Sequence, residues 1–243
     1  MTTFVLVPGA WLGAWAWRDV TDLLVKAGHD VYPLTLTGLA ERAGEADEPI
    51  GLDTHIDDIT SVLDDRDLRD VVLVAHSYSG APVTGAADRR PERVGALVYV
   101  DSGPAPDGIA QADFNPPEAR EAADRSAEAS DGWLPPIAFD PGTDPVTLAG
   151  LDDAMLSELR ARATPHPYAT MTQRQRLTGA VDSIPKTLIA CTIPLDVVRK
   201  MIDSGNPFFA GLRDATLLTL PTGHWPMFSE PDALAEMLAT TRH

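Results

Sequence analysis

The fold is decided by one stretch of the sequence, VVLVAHSYSG at residues 71–80. Its first half is apolar and rich in β-branched side chains, which predicts a strand buried on both faces. The residues from Tyr78 to Arg89 are compatible with a helix. A strand that turns sharply into a helix strains the backbone at the bend and requires small residues two positions before and after it. Ala75 and Ser79 meet that requirement, so the sequence predicts a tight bend that displays the hydroxyl of Ser77.

Strand-forming and helix-forming runs alternate along the rest of the chain. The predicted strands are Thr3 to Val7, Asp30 to Pro33, Val71 to Ala75, Ala96 to Val100, Thr187 to Cys191 and Thr216 to Leu220. The clearest helices are Ala16 to Lys26, His55 to Leu63 behind the N-cap pair Asp53-Thr54, and a last helix from Pro231 to Leu238. Such alternation is typical of a parallel sheet with right-handed crossovers. We therefore predict an α/β fold whose mostly parallel six-stranded sheet is flanked by helices.

One interval interrupts this alternation. Residues 102–185 carry many of the prolines, lack an evident strand, and include helical patches at Pro117 to Ala129 and Asp152 to Ala163. Their apolar periodicity is too poor for a core of their own, and the strand pattern resumes after them. A chain of 243 residues is within the range of one large α/β domain. We expect a single domain over residues 1–243, with residues 102–185 inserted as a helical cap.

The composition excludes several classes of protein. The chain has 19 Lys and Arg against 36 Asp and Glu, and its net charge of −17 disfavours nucleic acid and anionic membrane surfaces as partners. The single cysteine, Cys191, rules out an internal disulfide and a site with several thiolates, and no metal is expected. The first residues lack a basic signal region and no apolar run approaches ~18 residues, which together predict a cytoplasmic protein.

A serine hydroxyl is a weak nucleophile and needs a base to take its proton. Of the six histidines, His224 is the best candidate for that base. It lies in the loop after the last predicted strand, and such loops gather at the carboxyl edge of a parallel sheet, where Ser77 is also expected. With this kind of bend, the order expected along the chain is serine, acid and then histidine. His224 fits this order because it comes last. The other histidines are expected to pack or to lack a strand-end context: His29, His55, His76, His166 and His243.

The imidazole in turn needs a carboxylate that fixes its tautomer and stabilises its charged form. Asp101 closes the fourth predicted strand, where a buried carboxylate is costly without a partner and His224 would be that partner. Asp196 is the only carboxylate close behind the fifth predicted strand, in what looks like the first turn of a helix, where an aspartate is favoured by the helix dipole alone. Three possibilities stay open: Asp101, which we favour, Asp196, and a serine–histidine pair without an acid.

Four segments carry a more specific signal. They are FVLVPGAWLGAWAW at residues 4–17, Leu36-Thr37-Gly38, the bend at Ser77, and GHWPM at residues 223–227. Together they resemble the α/β-hydrolase superfamily, in particular its plant methylesterase and hydroxynitrile lyase branch and the related bacterial esterases. The resemblance covers residues 3–101 and 186–240. Members of this branch usually place the acid a few residues beyond the fifth strand, whereas here that loop is short.

The resemblance implies an oxyanion hole made from the backbone N–H groups of Ala10 and Tyr78. This branch usually has a histidine at the position of Pro8 and often has one at the position of Leu12. Neither position supplies a donor to the oxyanion hole. Four residues are expected to contact the substrate: Gly9, whose missing side chain would let its loop approach closely, and Trp11, Trp133 and Trp225.

These observations predict a serine esterase that needs no cofactor. Its substrate would be a carboxylic ester or lactone of a small, largely apolar molecule, cleaved through an acyl-enzyme. A hydroxynitrile-type lyase is the first alternative, although the plant lyases have a threonine at Gly9 and a lysine at Trp225. The second alternative is a non-hydrolytic protein of the same fold, a biosynthetic cyclase or a ligand receptor, which the short loop after Cys191 favours. A homodimer is left open.

Overall fold

The computed structural model describes residues 1–45 and 49–241, and within them eight strands form two sheets. The strands are β1 (Thr3–Val7), β2 (Asp30–Pro33), β3 (Val71–His76), β4 (Val94–Val100), β5 (Trp133–Leu134), β6 (His166–Pro167), β7 (Lys186–Ala190) and β8 (Thr216–Thr219). Six of them form one sheet in the order β2-β1-β3-β4-β7-β8, with every neighbouring pair parallel. The predicted six-stranded sheet is therefore confirmed.

Helices cover both faces of this sheet. They are α1 (Arg18–Lys26), α2 (Leu52–Asp65), α3 (Gly80–Arg89), α4 (Pro117–Glu128), α5 (Asp153–Arg162), α6 (Ala169–Thr172), α7 (Leu195–Asp203), α8 (Pro207–Ala210), α9 (Pro226–Ser229) and α10 (Pro231–Thr240). Apolar side chains of α2, α3 and α7 enter one core, and those of α1, α5 and α10 enter the other. This arrangement confirms the predicted α/β class.

The strand β3 lies at the centre of the sheet and explains why its sequence is apolar throughout. All six of its residues are buried. Alternate side chains point to opposite faces of a strand, so Leu73 enters the core beside α2 and α3, while Val72 and Val74 enter the core beside α1 and α10. A strand covered on both faces cannot alternate apolar with polar residues.

Several element boundaries differ from the prediction. The first helix begins with a 3-10 turn at Ala14–Trp17 before α1. Helix α2 begins at Leu52, ahead of the predicted N-cap pair, and the hydroxyl of Thr54 instead accepts a hydrogen bond from Gly51 N at 3.1 Å. The single-turn helices α6, α8 and α9 were not predicted, because four residues are too short for a periodic pattern to be visible.

Residues 102–185 run between β4 and β7 and carry α4, α5 and α6. The expectation that this interval lacks strands is wrong, since β5 and β6 pair there as a two-residue antiparallel ladder. The interval contacts the loops at the carboxyl edge of the main sheet: Thr164 N donates to Trp11 O at 3.0 Å, and His224 N donates to Thr147 O at 2.6 Å. In residues 1–45 and 49–241, no helix has the length and apolar character needed to cross a bilayer.

Candidate active site

The bend after β3 has the strained geometry that its sequence predicts. Ser77 has a φ of +52°, a left-handed conformation that costs a non-glycine residue on the order of 1–3 kcal/mol. Ser79 holds this conformation: its hydroxyl accepts from His76 N at 2.8 Å and lies 2.8 Å from its acceptor Val7 O. Gly80 has no room for a side chain, because a Cβ there would lie 2.3 Å from Gly103 O. Hydrogen bonding and close packing thus offset the strain at Ser77.

A chain of hydrogen bonds joins three side chains from different strand ends. Ser77 Oγ lies 2.8 Å from His224 Nε2, and His224 Nδ1 lies 2.6 Å from Asp101 Oδ2. A carboxylate only accepts, so Nδ1–H donates to Asp101 and leaves the lone pair of Nε2 facing the hydroxyl of Ser77. This is the tautomer that a base needs in order to take a proton from serine.

The carboxylate of Asp101 is 5% exposed and fully hydrogen-bonded. Oδ1 accepts from Cys191 N and Thr192 N, each at 3.0 Å, and Oδ2 accepts from the Thr192 hydroxyl at 2.8 Å. Burial alone would raise the pKa of Asp101, but the hydrogen bond and charge of His224 and the Thr192 donors hold it well below its usual value. The loop after β7 therefore supplies donors to the acid rather than an acid of its own.

The alternative carboxylate, Asp196, lies elsewhere. It is in the first turn of α7, as expected, and pairs with Lys200 at 3.2 Å with 67% of its side chain exposed. An exposed pair of this kind contributes about 0.3–0.5 kcal/mol. The structure brings Asp101, and not Asp196, to His224.

The loops after β1 and β3 lie against each other. Val7 pairs with Ala75 in the sheet, so Ala10 and Tyr78 each follow by three residues on neighbouring strands. A Cβ on Gly9 would lie 3.1 Å from Ser77 Cβ and 2.7 Å from His76 Nδ1. Only glycine fits this approach, which brings the Ala10 backbone close to the bend at Ser77.

His76, beside the nucleophile in sequence, supports the loop that carries His224. It is buried, and burial together with the charge of His224 lowers its pKa to about 3, so the ring is neutral. A carbonyl oxygen only accepts, so Nε2–H donates to His224 O, 2.7 Å away. The expectation that His76 packs agrees with its burial, but its hydrogen-bond partner is 148 residues away in the chain.

The three tryptophans expected at the substrate lie in different places. Trp225 is 3% exposed and packs between His224 and Phe139, with ring centroids 5.2 and 5.6 Å away. It packs in the core beside the loop of His224, and its expected contact with the substrate stays a prediction. Trp11 is half-buried, and its indole Nε1–H donates to Leu134 O at 3.1 Å. Trp133 lines a surface groove with Gly38 and Pro165 rather than a cavity at Ser77.

A cavity of about 170 Å³ adjoins the histidine and the acid. Asp101, Ser102, Thr192 and His224 line its polar side, and Ile193 and Phe208 belong to its apolar side. Ligand pockets for drug-sized molecules measure roughly 300–1,000 Å³, so this cavity suits a small group. Among residues 1–45 and 49–241, no cluster of His, Cys, Asp and Glu side chains could hold a metal ion.

Sequence reasoning missed several residues that support the site. Thr192 hydrogen-bonds to Asp101, Ser102 donates its hydroxyl proton to Ser77 O, and Thr147 accepts from His224 N. Each contact joins segments that are far apart in the chain, and no local pattern signals it. The terminal His243 lies outside the described residues.

The protein is expected to lose stability as the pH falls below about 6.5. Burial lowers the pKa of His55 to about 4 and that of His76 to about 3, so unfolding takes up protons below about pH 6.5. The free energy of unfolding should therefore be highest above pH 6.5 and fall by about 1.4 kcal/mol per pH unit for each such histidine as the pH drops towards 4. Urea titrations at about pH 7 and about pH 5 measure this, and a His55→Gln variant should lose one histidine's share of the slope. An unfolding free energy that stays constant over this interval would contradict the assignment.

Comparison with known proteins identifies the family to which the chain belongs. The model of the alpha/beta hydrolase family matches residues 4–237. A carbendazim hydrolyzing esterase from a Nocardioides species is 46% identical over 102 residues, a segment that spans 42% of each chain. Methylesterase 9 of Arabidopsis thaliana is 29% identical over 98% of this chain and 97% of its own length.

Solved structures give the same result for the fold. An extracellular alpha/beta-hydrolase from a Paenibacillus species superposes over 100% of both chains with a TM-score of 0.84 at 22% identity. A methylesterase from Arabidopsis superposes over 98% of both chains with a TM-score of 0.73 at 20% identity. The predicted resemblance to plant methylesterases and bacterial esterases is thereby confirmed, and the chain belongs to the alpha/beta hydrolase family.

Proposed function

We propose that the protein is a serine esterase that cleaves a carboxylic ester or lactone of a small, largely apolar molecule through an acyl-enzyme. The observation that carries the proposal is the hydrogen-bonded chain from Ser77 through His224 to the buried Asp101. In this proposal Ser77 is the nucleophile, His224 is the general base and acid, and Asp101 holds the imidazole in its reactive tautomer.

The first half of the reaction forms the acyl-enzyme. His224 Nε2 takes the proton of Ser77 as Oγ bonds to the carbonyl carbon, and the backbone N–H groups of Ala10 and Tyr78 stabilise the resulting oxyanion. When the tetrahedral intermediate collapses, the bond to the alcohol oxygen breaks and His224 gives that oxygen its proton. The products are the free alcohol, or the ring-opened hydroxyl of a lactone, and an acyl group on Ser77.

The second half regenerates the enzyme. A water molecule gives a proton to His224 while its oxygen bonds to the acyl carbon, and the bond to Ser77 Oγ then breaks. The proton returns to Ser77 and the carboxylic acid leaves. No oxidant, reductant or cofactor enters either half.

Cavity size and relatives both support a small substrate. The cavity of about 170 Å³ beside His224 is lined by Ile193 and Phe208, which suits a short apolar acyl or alcohol group. The relatives named above are esterases and methylesterases. We further propose that residues 102–185 act as a cap, because their backbone holds both Trp11 and His224.

Covalent labelling and a substrate series test this proposal. A fluorophosphonate should add a single label to the tryptic peptide of residues 70–89, which contains Ser77. p-Nitrophenyl acetate and butyrate should be hydrolysed with a higher kcat/KM than the octanoate, because the cavity is small. A sample unfolded in urea should not label, since the reactivity of Ser77 depends on His224. A label at another residue, or labelling of Ser77 without turnover of any ester, would overturn the esterase assignment.

A further inference from the structure

Three aromatic side chains that the proposed reaction does not use form a buried cluster behind the bend. His55 and His166 are 0% exposed and Tyr78 is 2% exposed. The ring of His166 lies edge-on to Tyr78 at 4.4 Å, and the two imidazoles are 5.8 Å apart. His55 comes from α2, Tyr78 follows the nucleophile, and His166 belongs to the interval between β4 and β7. Polar groups this deeply buried need a partner, and each of them has one.

The hydrogen bonds of His55 define its tautomer. Burial lowers the pKa of His55 to about 4, so near pH 7 the ring is neutral and carries one N–H. Nε2 lies 2.9 Å from Thr37 O, and a carbonyl oxygen only accepts, so the proton is on Nε2. The lone pair of Nδ1 must then accept from the hydroxyl of Tyr78, 2.7 Å away. Burial raises the pKa of Tyr78, so its hydroxyl keeps the proton that this bond requires.

His166 has the same tautomer for a parallel reason. Its pKa lies well below the usual value because of burial and the nearby His55. The hydroxyl of Thr170 donates to Pro167 O at 2.7 Å, so it must accept from His166 Nε2–H, at 2.9 Å. His166 Nδ1 then accepts from Trp11 N, at 3.5 Å a longer bond than that of Tyr78 to His55.

His55 accepts from the side-chain hydroxyl of Tyr78, and His166 accepts from the backbone N–H of Trp11. Tyr78 carries one proposed oxyanion donor on its own nitrogen, and Trp11 directly follows Ala10, which carries the other. Further bonds from Thr164 N to Trp11 O and from Trp11 Nε1 to Leu134 O attach the same loop to the interval that contains His166. Both loops are therefore hydrogen-bonded to neutral imidazoles of one buried cluster.

We propose that His55 and His166 are positioning residues for the oxyanion hole, each using Nδ1 of a neutral Nε2–H imidazole to hold one donor-bearing loop. The proposal rests on the esterase function above. Because His166 belongs to residues 102–185, the oxyanion hole would be complete only when this interval is packed against the loop of Trp11.

The first test removes the hydroxyl of Tyr78 and keeps its backbone donor. A Tyr78→Phe variant should lower kcat for p-nitrophenyl acetate by about tenfold with KM within about twofold, because the donor remains but is less well aligned; loss of a whole donor costs about 10²- to 10³-fold. Tyr99→Phe is the matched control. Its hydroxyl is equally buried and bonds at 2.8 Å to Thr84 Oγ1 of α3 rather than to an imidazole, so its kcat should stay within about twofold of the parent. Equal effects of the two variants on kcat would overturn the proposal.

The second test uses the acceptor of His166. Asparagine can place an oxygen near the position of Nδ1, whereas phenylalanine cannot accept at all. His166→Asn should therefore retain more of the parent kcat than His166→Phe at comparable thermal stability. Equal kcat values in the folded His166→Asn and His166→Phe variants would show that His166 acts only through packing.

A third readout does not depend on catalysis. Nitrogen-15 spectra of the histidine rings at neutral pH should show both His55 and His166 as Nε2–H tautomers. The opposite tautomer at either ring would overturn the proposal even in an active enzyme. If the parent cleaves no ester but both tautomers are as expected, the esterase function fails while the assigned hydrogen bonds stand.

Discussion

Replacing Ser77 by alanine is expected to lower kcat for p-nitrophenyl acetate by about 10⁶-fold. Without Oγ no acyl-enzyme can form, and His224 and Asp101 have no hydroxyl to activate. What remains is the binding of the ester near the backbone donors, which retains roughly 10³- to 10⁴-fold over the reaction in water. Initial rates at high enzyme concentration, compared with the rate in buffer, measure this residual activity.

Two observations keep the result specific. The Ser77→Ala variant should unfold at a temperature close to that of the parent and should no longer take up the fluorophosphonate. Ser61→Ala makes the same chemical change on the exposed side of α2 and should leave kcat unchanged. A Ser77→Ala enzyme that keeps more than about 1% of the parent kcat would require a different nucleophile.

Replacing Asp101 by asparagine is expected to lower kcat by about 10⁴-fold with little change in KM. An amide can present its NH₂ group to His224 Nδ1, which moves the ring proton to Nε2 and leaves no lone pair to accept the proton of Ser77. The amide also carries no negative charge to stabilise the imidazolium. Steady-state kinetics with p-nitrophenyl acetate measure the loss.

The control for this variant is Asp196→Asn. Asp196 is exposed and paired with Lys200, so its replacement should leave kcat unchanged. A large loss in Asp196→Asn together with full activity in Asp101→Asn would assign the acid to Asp196 in the first turn of α7. Full activity in both variants would leave a serine–histidine pair.

The strands were the most predictable part of the fold. A parallel strand covered on both faces must be apolar at every position, and Val71 to Ala75 satisfies this without reference to the rest of the chain. Short elements were not predictable, because β5 and β6 have two residues each and are formed by pairing with each other. The start of α2 was predicted too late because Asp53-Thr54 has the composition of an N-cap although the helix begins at Leu52.

The site was predictable to the extent that it depends on strand ends. Ser77, Asp101 and His224 each follow a strand of one parallel sheet, and topology alone brings such positions to one edge. The position of Trp225 was not predictable, since adjacency to His224 in sequence does not determine which side of the loop a side chain takes. The contacts of His166 with Trp11 and of Thr192 with Asp101 span 155 and 91 residues, and neither leaves a local pattern.

The donors that surround Asp101 have a consequence for how relatives of this chain are recognised. The ends of β4 and β7 lie together at this site: Asp101 follows β4, and Cys191 and Thr192 after β7 donate to its carboxylate. The carboxylate that the imidazole needs is thus defined by its position in space and not by a fixed position in the sequence. A survey that looks for the acid only after β7 would assign it to the exposed Asp196, whereas one that accepts either strand end would also find Asp101 beside His224.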